Sequence, residues 1–154
     1  MQIRQDDPAA DHVAPLLALH LTELRAGMEG FSFALDSSGL AAPGVTFWTA
    51  WAEDGTIAGM AAMKQLSPDH GELKSMRATP AMRGRGVGRA LLTHIVATAH
   101  ARGYRRLSLE TGTAALHDDA VRLYRASGFV PCGPFADYAE SPHNQFFTLD
   151  LGDA

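Results

Sequence analysis

The feature that most constrains this chain is a short run of alternating glycine and arginine near its middle. Residues 83–89 read Arg-Gly-Arg-Gly-Val-Gly-Arg, and they join a predicted strand at 72–79 to a predicted amphipathic helix at 87–102. Glycines let a backbone turn tightly and approach a ligand closely, and the start of a helix offers unpaired N–H groups to an anion. Arginine adds full charges with the bidentate geometry that suits phosphate. The segment therefore predicts a phosphate-binding turn.

Other phosphate-binding motifs fit this run less well. A P-loop needs Gly-Lys-Ser/Thr before its helix, and no lysine occurs here. In a dinucleotide fingerprint the third glycine follows the second by three residues, whereas Gly88 follows Gly86 by two, and the motif follows the first strand of a βαβ unit. Arginine-glycine tracts that bind RNA are long disordered repeats. The structural alternative is a glycine-rich turn whose arginines are solvated.

The distribution of charge supports a local anion site and argues against a general binder of polyanions. The 154 residues include 13 basic and 17 acidic ones, for a net charge of −4. From Arg77 to Arg125, nine arginines stand against three acidic residues, so this stretch carries +6 and the rest of the chain −10. We therefore expect an anionic cofactor on an otherwise acidic protein, and no nucleic acid partner.

Composition and cysteine usage exclude several further classes. With 46% hydrophobic and 19% charged residues, the chain is expected to fold as a single domain over 1–154. Its one cysteine, Cys132, excludes an internal disulfide framework, and neither cysteine nor histidine spacing predicts a metal site. There is no apolar run long enough to cross a bilayer and no signal-peptide pattern at the start. These features predict a cytoplasmic protein without a membrane partner.

The hydrophobic pattern predicts a mixed α/β domain. A helix with a broad apolar stripe, capped by Asp11 and ending at Gly27, follows a short first strand at 2–4. Residues 28–43 are compatible with a short helix and a loop. The remaining predicted elements are a three-stranded meander at 46–52, 56–66 and 72–79, a helix at 87–102, a strand at 105–110, a helix at 118–127, and strands at 129–132 and 145–151.

Three segments of the chain resemble motifs of the GNAT acetyltransferase superfamily. Residues 83–88 match its acetyl-CoA signature, Gln/Arg-x-x-Gly-x-Gly/Ala. The preceding Met-Arg-Ala-Thr-Pro at 76–80 resembles that family's strand end, and residues 120–129 resemble its tyrosine helix with the following Gly-Phe. The predicted element order also matches, so the resemblance covers nearly the whole chain. It implies a GNAT-like fold, with a mostly antiparallel central sheet, a splayed parallel pair of strands and flanking helices.

The resemblance also implies an activity and a co-substrate. GNAT enzymes hold acetyl-CoA in the gap between the splayed strands, and an amine attacks the thioester directly. Carried over by position, backbone groups of Met76 and Ala78 hold the pantetheine arm and acetyl carbonyl, and N–H groups from Arg85 to Arg89 hold the pyrophosphate. The expected cofactor-binding residues are Met76, Ala78, Arg83, Gly84, Arg85, Gly86, Val87, Gly88 and Arg89.

Tyr124 matches the tyrosine that protonates the departing CoA thiolate in many members of the family. A phenol with a pKa of about 10 stays protonated at neutral pH and can meet a thiolate whose conjugate acid has a pKa near 8.5. The alternative is a helix tyrosine packed under the sheet. The asparagine that many members carry before this helix is missing, so that Thr113 or His117 substitutes for it or the contact is absent.

A general base is needed because an acceptor amine is mostly protonated at pH 7. Glu110 ends a predicted strand beside the expected cleft and ranks first, with proton transfer through water as an equal alternative. Other candidates are Glu72, Tyr138 and His143, each of which also has an ordinary structural or surface interpretation.

The acceptor itself is open at the level of sequence. We expect a primary amine of a small molecule or peptide, for which Glu23, Glu29, Asp36, Asp137 and Glu140 offer acidic groups, although a solvated face explains them equally well. Within the fold, transfer of another acyl group or transfer to oxygen is an alternative. From a different class, the domain is a sensor that binds CoA without turnover. A homodimer is compatible with the apolar final hairpin.

Overall fold

A computed structural model describes residues 1–27 and 35–152 of the chain, and its elements follow the predicted order. The strands are β1 (Gln2–Gln5), β2 (Val45–Trp51), β3 (Ile57–Ser67), β4 (His70–Ala78), β5 (Arg106–Gly112), β6 (Val130–Cys132) and β7 (Asn144–Asp150). The helices are α1 (Ala14–Gly27), α2 (Ser37–Leu40), α3 (Val87–Ala101) and α4 (Asp118–Ala126). The short helix α2 lies in the segment whose sequence pattern was ambiguous.

The strands form one seven-stranded sheet in the order β1-β2-β3-β4-β5-β7-β6. Among these strands β4 and β5 run parallel, and the other neighbours pair antiparallel. Short turns join the β2-β3-β4 meander, whereas the parallel pair needs a crossover, which α3 provides. The expected mixed α/β fold with one parallel pair is thereby confirmed.

The helices bury both faces of the sheet. On one face α1, α2 and the turn before α1 pack against β2 and β3 through Leu16, Leu17, Leu40 and Val13. Successive side chains of a strand alternate between the two faces of the sheet, so the same strands contribute to a second core. This larger core lies on the opposite face, under α3 and α4. Within the described residues, no helix is both long and apolar enough to pass through a lipid bilayer.

The two parallel strands separate halfway along their length. Their pairing runs from His70 opposite Arg106 to Leu73 opposite Leu109. Beyond that point β5 stays paired with β7, while β4 follows β3 through a register shift at Ser75, whose φ is +56°. A β-bulge bends its strand and turns it away from its neighbour. The result is a gap between the ends of β4 and β5.

Three predicted boundaries are wrong by two residues. The strand predicted at 105–110 ends at Gly112, because its pairing with β7 continues as far as Asn144. The first long helix begins at Ala14 rather than directly after Asp11, since the Ala10 carbonyl accepts the N–H groups of both Val13 and Ala14 in a preceding turn. The strand β4 begins at His70 rather than at residue 72, because Ser67 pairs directly with His70 across a two-residue turn.

Candidate active site

The glycine-arginine run forms an open turn directly before α3. Gly84 and Gly86 have φ values of +75° and +82°, a left-handed conformation in which any residue with a Cβ is strained. No atom lies within 4 Å of the position a Cβ would take at either glycine. The first backbone hydrogen bond of α3 joins the Ala90 N–H to the Gly86 carbonyl at 3.0 Å. Earlier N–H groups of the helix therefore remain available to an anion.

A cavity of about 730 Å³ extends from this turn along the end of β4 to α4. It brings together eight of the nine predicted cofactor-binding residues: Met76, Ala78, Arg83, Gly84, Gly86, Val87, Gly88 and Arg89. Arg85 does not line the cavity, because its N–H donates to the Met82 carbonyl at 3.2 Å within the turn. A cavity of this size is typical of a cofactor site.

The end of β4 offers free backbone groups to this cavity. The Thr79 N–H donates to the Ala58 carbonyl of β3 at 2.8 Å, so Thr79 directs its backbone groups toward β3. Neighbouring residues of a strand direct theirs to opposite edges. By this alternation Met76 and Ala78 present their N–H and C=O groups to the gap, as an extended ligand chain running along the strand requires.

A smaller cavity of about 100 Å³ occupies the gap itself. It is lined by both predicted catalytic residues, Glu110 at the end of β5 and Tyr124 on α4. Five residues line both cavities, which therefore adjoin: His20, Leu24, Met76, His117 and Ala120. The structure thus places an acid and a base candidate where the turn-side cavity meets the separated strands.

Burial raises the pKa of Glu110 to about 7. Lys74 opposes this shift and the charge of Glu72 adds to it. A carboxyl group with this pKa is ionised in part of the population at neutral pH and can take up a proton in the same range. This is the property that a general base requires.

The raised pKa also predicts a stability effect. The folded state holds a proton on Glu110 up to about pH 7, whereas the unfolded chain loses it near 4.5. Stability therefore falls as pH rises between these values, and the penalty is complete above pH 7. At pH 8 we expect the free energy of unfolding of Glu110→Gln, measured by urea titration, to exceed that of the wild type by up to about 3 kcal/mol.

This advantage should vanish below pH 4.5, where both proteins are neutral at position 110. Glu53→Gln, an exposed change in the β2-β3 hairpin, is the control. Equal free energies of unfolding for the wild type and Glu110→Gln at pH 8 would show that the ionised Glu110 carboxylate does not destabilise the folded state.

Tyr124 combines packing with access to the smaller cavity. The residue is 6% exposed, and its ring lies 5.8 Å from that of Phe129 and 6.5 Å from that of Phe147, centroid to centroid. Burial, followed by the charge of Glu110, holds the pKa of Tyr124 well above its usual value. The phenol therefore keeps its proton at neutral pH and is a hydrogen-bond donor within the site.

The other base candidates occupy different roles. Glu72 is 3% exposed, and it accepts hydrogen bonds from the Tyr138 hydroxyl at 2.5 Å and the Lys74 ammonium at 3.2 Å. Burial and the charge of Glu72 raise the pKa of Tyr138 far above its usual range, so its hydroxyl stays protonated. His143 is exposed and does not line the cavity. Glu110, whose pKa burial raises to about 7, therefore remains the first candidate for the general base.

His117 and Thr113, the two candidates to replace the missing asparagine, lie in different surroundings. His117 lines both cavities, is 9% exposed and has an unpartnered Nε2. The alternative, Thr113, lies outside them and donates its hydroxyl to the Pro142 carbonyl at 2.7 Å. Of the two replacements that the sequence left open, only His117 is within reach of a ligand in the cavities.

The acidic residues considered for acceptor binding do not form one group. Glu23 is paired with Arg77 and lies 3.6 Å from Arg83, while Asp36 caps α2 through the Gly39 N–H. Asp137 and Glu140 are exposed, and neither lines the two adjoining cavities. Glu29 lies outside the described residues. Among residues 1–27 and 35–152, no cluster of acidic, histidine or cysteine side chains is arranged to hold a metal ion.

Sequence reasoning missed His20 and Lys74 as residues of the site. His20 stands in the apolar stripe of α1, and a polar residue within such a stripe is the signal that could have identified it. Lys74 carries no comparable signal, because its role depends on the separation of the strands and the bulge at Ser75.

Comparison with known proteins places the chain in a family. Residues 16–129 match the Acetyltransferase (GNAT) family. The chain is 44% identical to the uncharacterized N-acetyltransferase YedL of Escherichia coli, over 97% of this chain and 94% of the relative. It is 42% identical to the uncharacterized N-acetyltransferase YsnE of Bacillus subtilis, over 98% and 100%. A solved structure from Klebsiella pneumoniae superposes with a TM-score of 0.79 at 25% identity, over 97% of both chains.

The family match spans the splayed strands, the glycine turn and the tyrosine helix together, and both relatives cover almost the whole chain. The chain therefore belongs to the GNAT acetyltransferase family, and it is an acyltransferase whose co-substrate is acetyl-CoA.

Proposed function

We propose that this protein transfers the acetyl group of acetyl-CoA to a primary amine of a small molecule or peptide, by direct attack within a ternary complex. The observation that carries this proposal is the pairing of Glu110 and Tyr124 in one small cavity, next to the larger cavity of the glycine turn. That both relatives are named N-acetyltransferases supports nitrogen as the atom acetylated.

The larger cavity suits the extended shape of the co-substrate. Unpaired N–H groups at the start of α3, together with Arg83 and Arg89, bind the pyrophosphate. Backbone groups of Met76 and Ala78 bind the pantetheine arm, which delivers the thioester to the gap. Arg85 is exposed and does not line the larger cavity, so its side chain contributes only its positive charge to the pyrophosphate site.

The reaction then needs three proton transfers, and Glu110 and Tyr124 in the smaller cavity can carry them. Glu110 removes a proton from the acceptor ammonium, directly or through a water molecule. The amine nitrogen forms a bond to the thioester carbon, the carbon–sulfur bond breaks, and its electron pair remains on sulfur. Tyr124 protonates that sulfur, and the second proton of the attacking nitrogen passes to the Tyr124 phenolate, directly or through water. The products are then the neutral acetylated amine and neutral CoA, with Tyr124 protonated again and the first proton on Glu110.

The protonation state of Glu110 also affects the pKa of Tyr124. The negative charge of Glu110 is one of the reasons why the pKa of Tyr124 is high. When Glu110 takes the proton of the ammonium it becomes neutral, and this removes that contribution. Tyr124 is consequently a stronger acid at the later stage, when the thiolate leaves.

Two measurements test the proposal against its alternatives. Calorimetry with acetyl-CoA measures binding, and thiol release across a panel of amines, with mass spectrometry of the products, measures transfer to nitrogen. Acetyl-CoA binding with an N-acetyl product is the expected result. Tight binding without thiol release for any acceptor would favour a sensor. Faster turnover with a longer acyl-CoA would favour another acyl donor. No binding of acetyl-CoA would contradict both the acetyltransferase and the sensor.

For the base we expect a pH profile governed by Glu110. Since the carboxylate is the active form, kcat/KM of the wild type should rise as pH increases through about 7. Glu110→Gln should lower kcat by about 10²-fold or more and remove this ionisation from the profile. Glu53→Gln should leave both unchanged. A Glu110→Gln profile that still rises near pH 7 would assign the ionisation to another group.

A further inference from the structure

Three buried nitrogen atoms without hydrogen-bond partners converge where the two cavities meet. They are Nδ1 of His20 on α1, Nε of Arg77 on β4, and Nε2 of His117 in the turn before α4. The two histidines are 7% and 9% exposed, and the side chain of Arg77 is 8% exposed. Both histidines line both cavities, and Arg77 lines the larger one. Buried donors without partners are rare in folded proteins and indicate a missing acceptor.

Beside this cluster, two guanidinium groups share one carboxylate. Glu23 forms an ion pair with Arg77 and also lies 3.6 Å from Arg83, so one carboxylate faces two guanidinium groups. Burial, the charge of Arg77 and that of His117 lower the pKa of His20 to about 4, against the opposing charge of Glu23. Burial also lowers the pKa of His117. Both imidazoles are therefore neutral at pH 7, and each can donate one hydrogen bond.

We propose that His20, Arg77 and His117 form a carboxylate subsite for the acceptor, so that the acceptor is an amino acid or a related amine carrying a carboxylate. This inference rests on the proposed function. A carboxylate supplies one negative charge and two oxygens that accept several hydrogen bonds. It thus matches the three unpartnered nitrogens, and its charge would complement the two guanidinium groups that share Glu23.

The position of the cluster favours the acceptor over the co-substrate. The smaller cavity, which contains Glu110, is also lined by His20 and His117, so an amine at Glu110 can place its carboxylate at the cluster. The pantetheine arm of CoA carries amides and hydroxyls but no charge, and the CoA phosphates belong to the turn before α3. The part of CoA that reaches the gap therefore offers no charged acceptor to the unpartnered nitrogens of His20, Arg77 and His117.

The first test measures acceptor preference of the wild type. Each amino acid in a panel is compared with its carboxamide and with the amine that lacks the group, at saturating acetyl-CoA. We expect kcat/KM for the carboxylates to exceed that for the carboxamides by about 10- to 100-fold, the range for hydrogen bonds to a charged group. Acetylation of amines without any carboxylate preference would overturn the subsite and leave the proposed function standing.

Two variants then assign the preference to the cluster. His20→Leu removes one donor without touching the Arg77–Glu23 pair, and Arg77→Lys keeps the charge while removing Nε. Both should reduce the ratio of kcat/KM for carboxylates to that for carboxamides by about 10-fold, because a charged acceptor loses more than a neutral one when a donor is removed. His94→Leu, a half-buried histidine outside both cavities, is the control.

The co-substrate provides the decisive counter-test. If the three nitrogens bind acetyl-CoA instead, both variants will raise its KM and Kd and leave the preference among acceptors intact, which would overturn the inference. If no amine in the panel yields an N-acetyl product, the proposed function fails first. Unchanged acetyl-CoA affinity together with a lost carboxylate preference is the result that supports the subsite.

Discussion

Replacing Gly86 with aspartate is expected to abolish binding of CoA while the fold persists. The substitution puts a side chain into the open space of the turn, where no atom lies within 4 Å of the Cβ position. It also places a negative charge beside the N–H groups that would bind the pyrophosphate. Like charges in direct apposition cost several kcal/mol, so the Kd for CoA measured by calorimetry should rise by at least about 100-fold.

A matched control separates this effect from backbone strain. Gly55, in the turn between β2 and β3, has a φ of +83° against +82° for Gly86, and its Cβ position is equally open. Gly55→Asp therefore carries the same conformational cost, about 1–2 kcal/mol, far from both cavities. Equal thermal stability of the two variants, with loss of CoA binding in Gly86→Asp alone, is the expected pattern. Wild-type affinity in Gly86→Asp would refute the phosphate role of the turn.

Replacing Tyr124 with phenylalanine is expected to remove most of the turnover without weakening the co-substrate complex. The change deletes only the hydroxyl and keeps the ring contacts with Phe129 and Phe147. General acid catalysis contributes about 10²- to 10⁴-fold, so kcat should fall within that range. The Kd for acetyl-CoA should stay within about twofold of the wild-type value, because the pyrophosphate is expected to bind at the turn in the larger cavity, which Tyr124 does not line.

Tyr104→Phe is the control for the loss of a buried phenol. Tyr104 is 4% exposed and packs in the same core, but it lines neither of the two cavities. It should keep wild-type kinetics. If Tyr124→Phe turned over acceptors at the wild-type rate, Tyr124 would be a packing residue only, and protonation of the thiolate would pass to water.

Much of the cofactor side could be predicted from local sequence, because its features depend on neighbours in the chain. The conformation of Gly84 and Gly86 and the helix that starts at Val87 belong to one continuous segment. Periodicity and turn residues placed the strands and helices in the correct order for the same reason. Arg85 shows the limit of a motif: its N–H donates to the Met82 carbonyl within the turn, a contact that the local pattern does not reveal.

The acceptor side depended on contacts between distant parts of the chain. His20 and His117 stand 97 positions apart in the sequence, and they meet only because α1 and the turn before α4 close around the gap. The shift in the pKa of Glu110 likewise arises from burial and from Lys74 and Glu72 on the neighbouring strand. Neither property is visible in a local pattern.

The amino-acid sequence by itself determined the family, the order of the elements and the turn that faces the co-substrate. These are carried by short segments whose backbone preferences act within a few residues. Only the assembled fold establishes where β4 and β5 separate, that the pKa of Glu110 rises to about 7, and which nitrogens near the two cavities are left without partners. Those outcomes depend on burial and long-range packing, which arise only when the whole sheet and its helices are assembled.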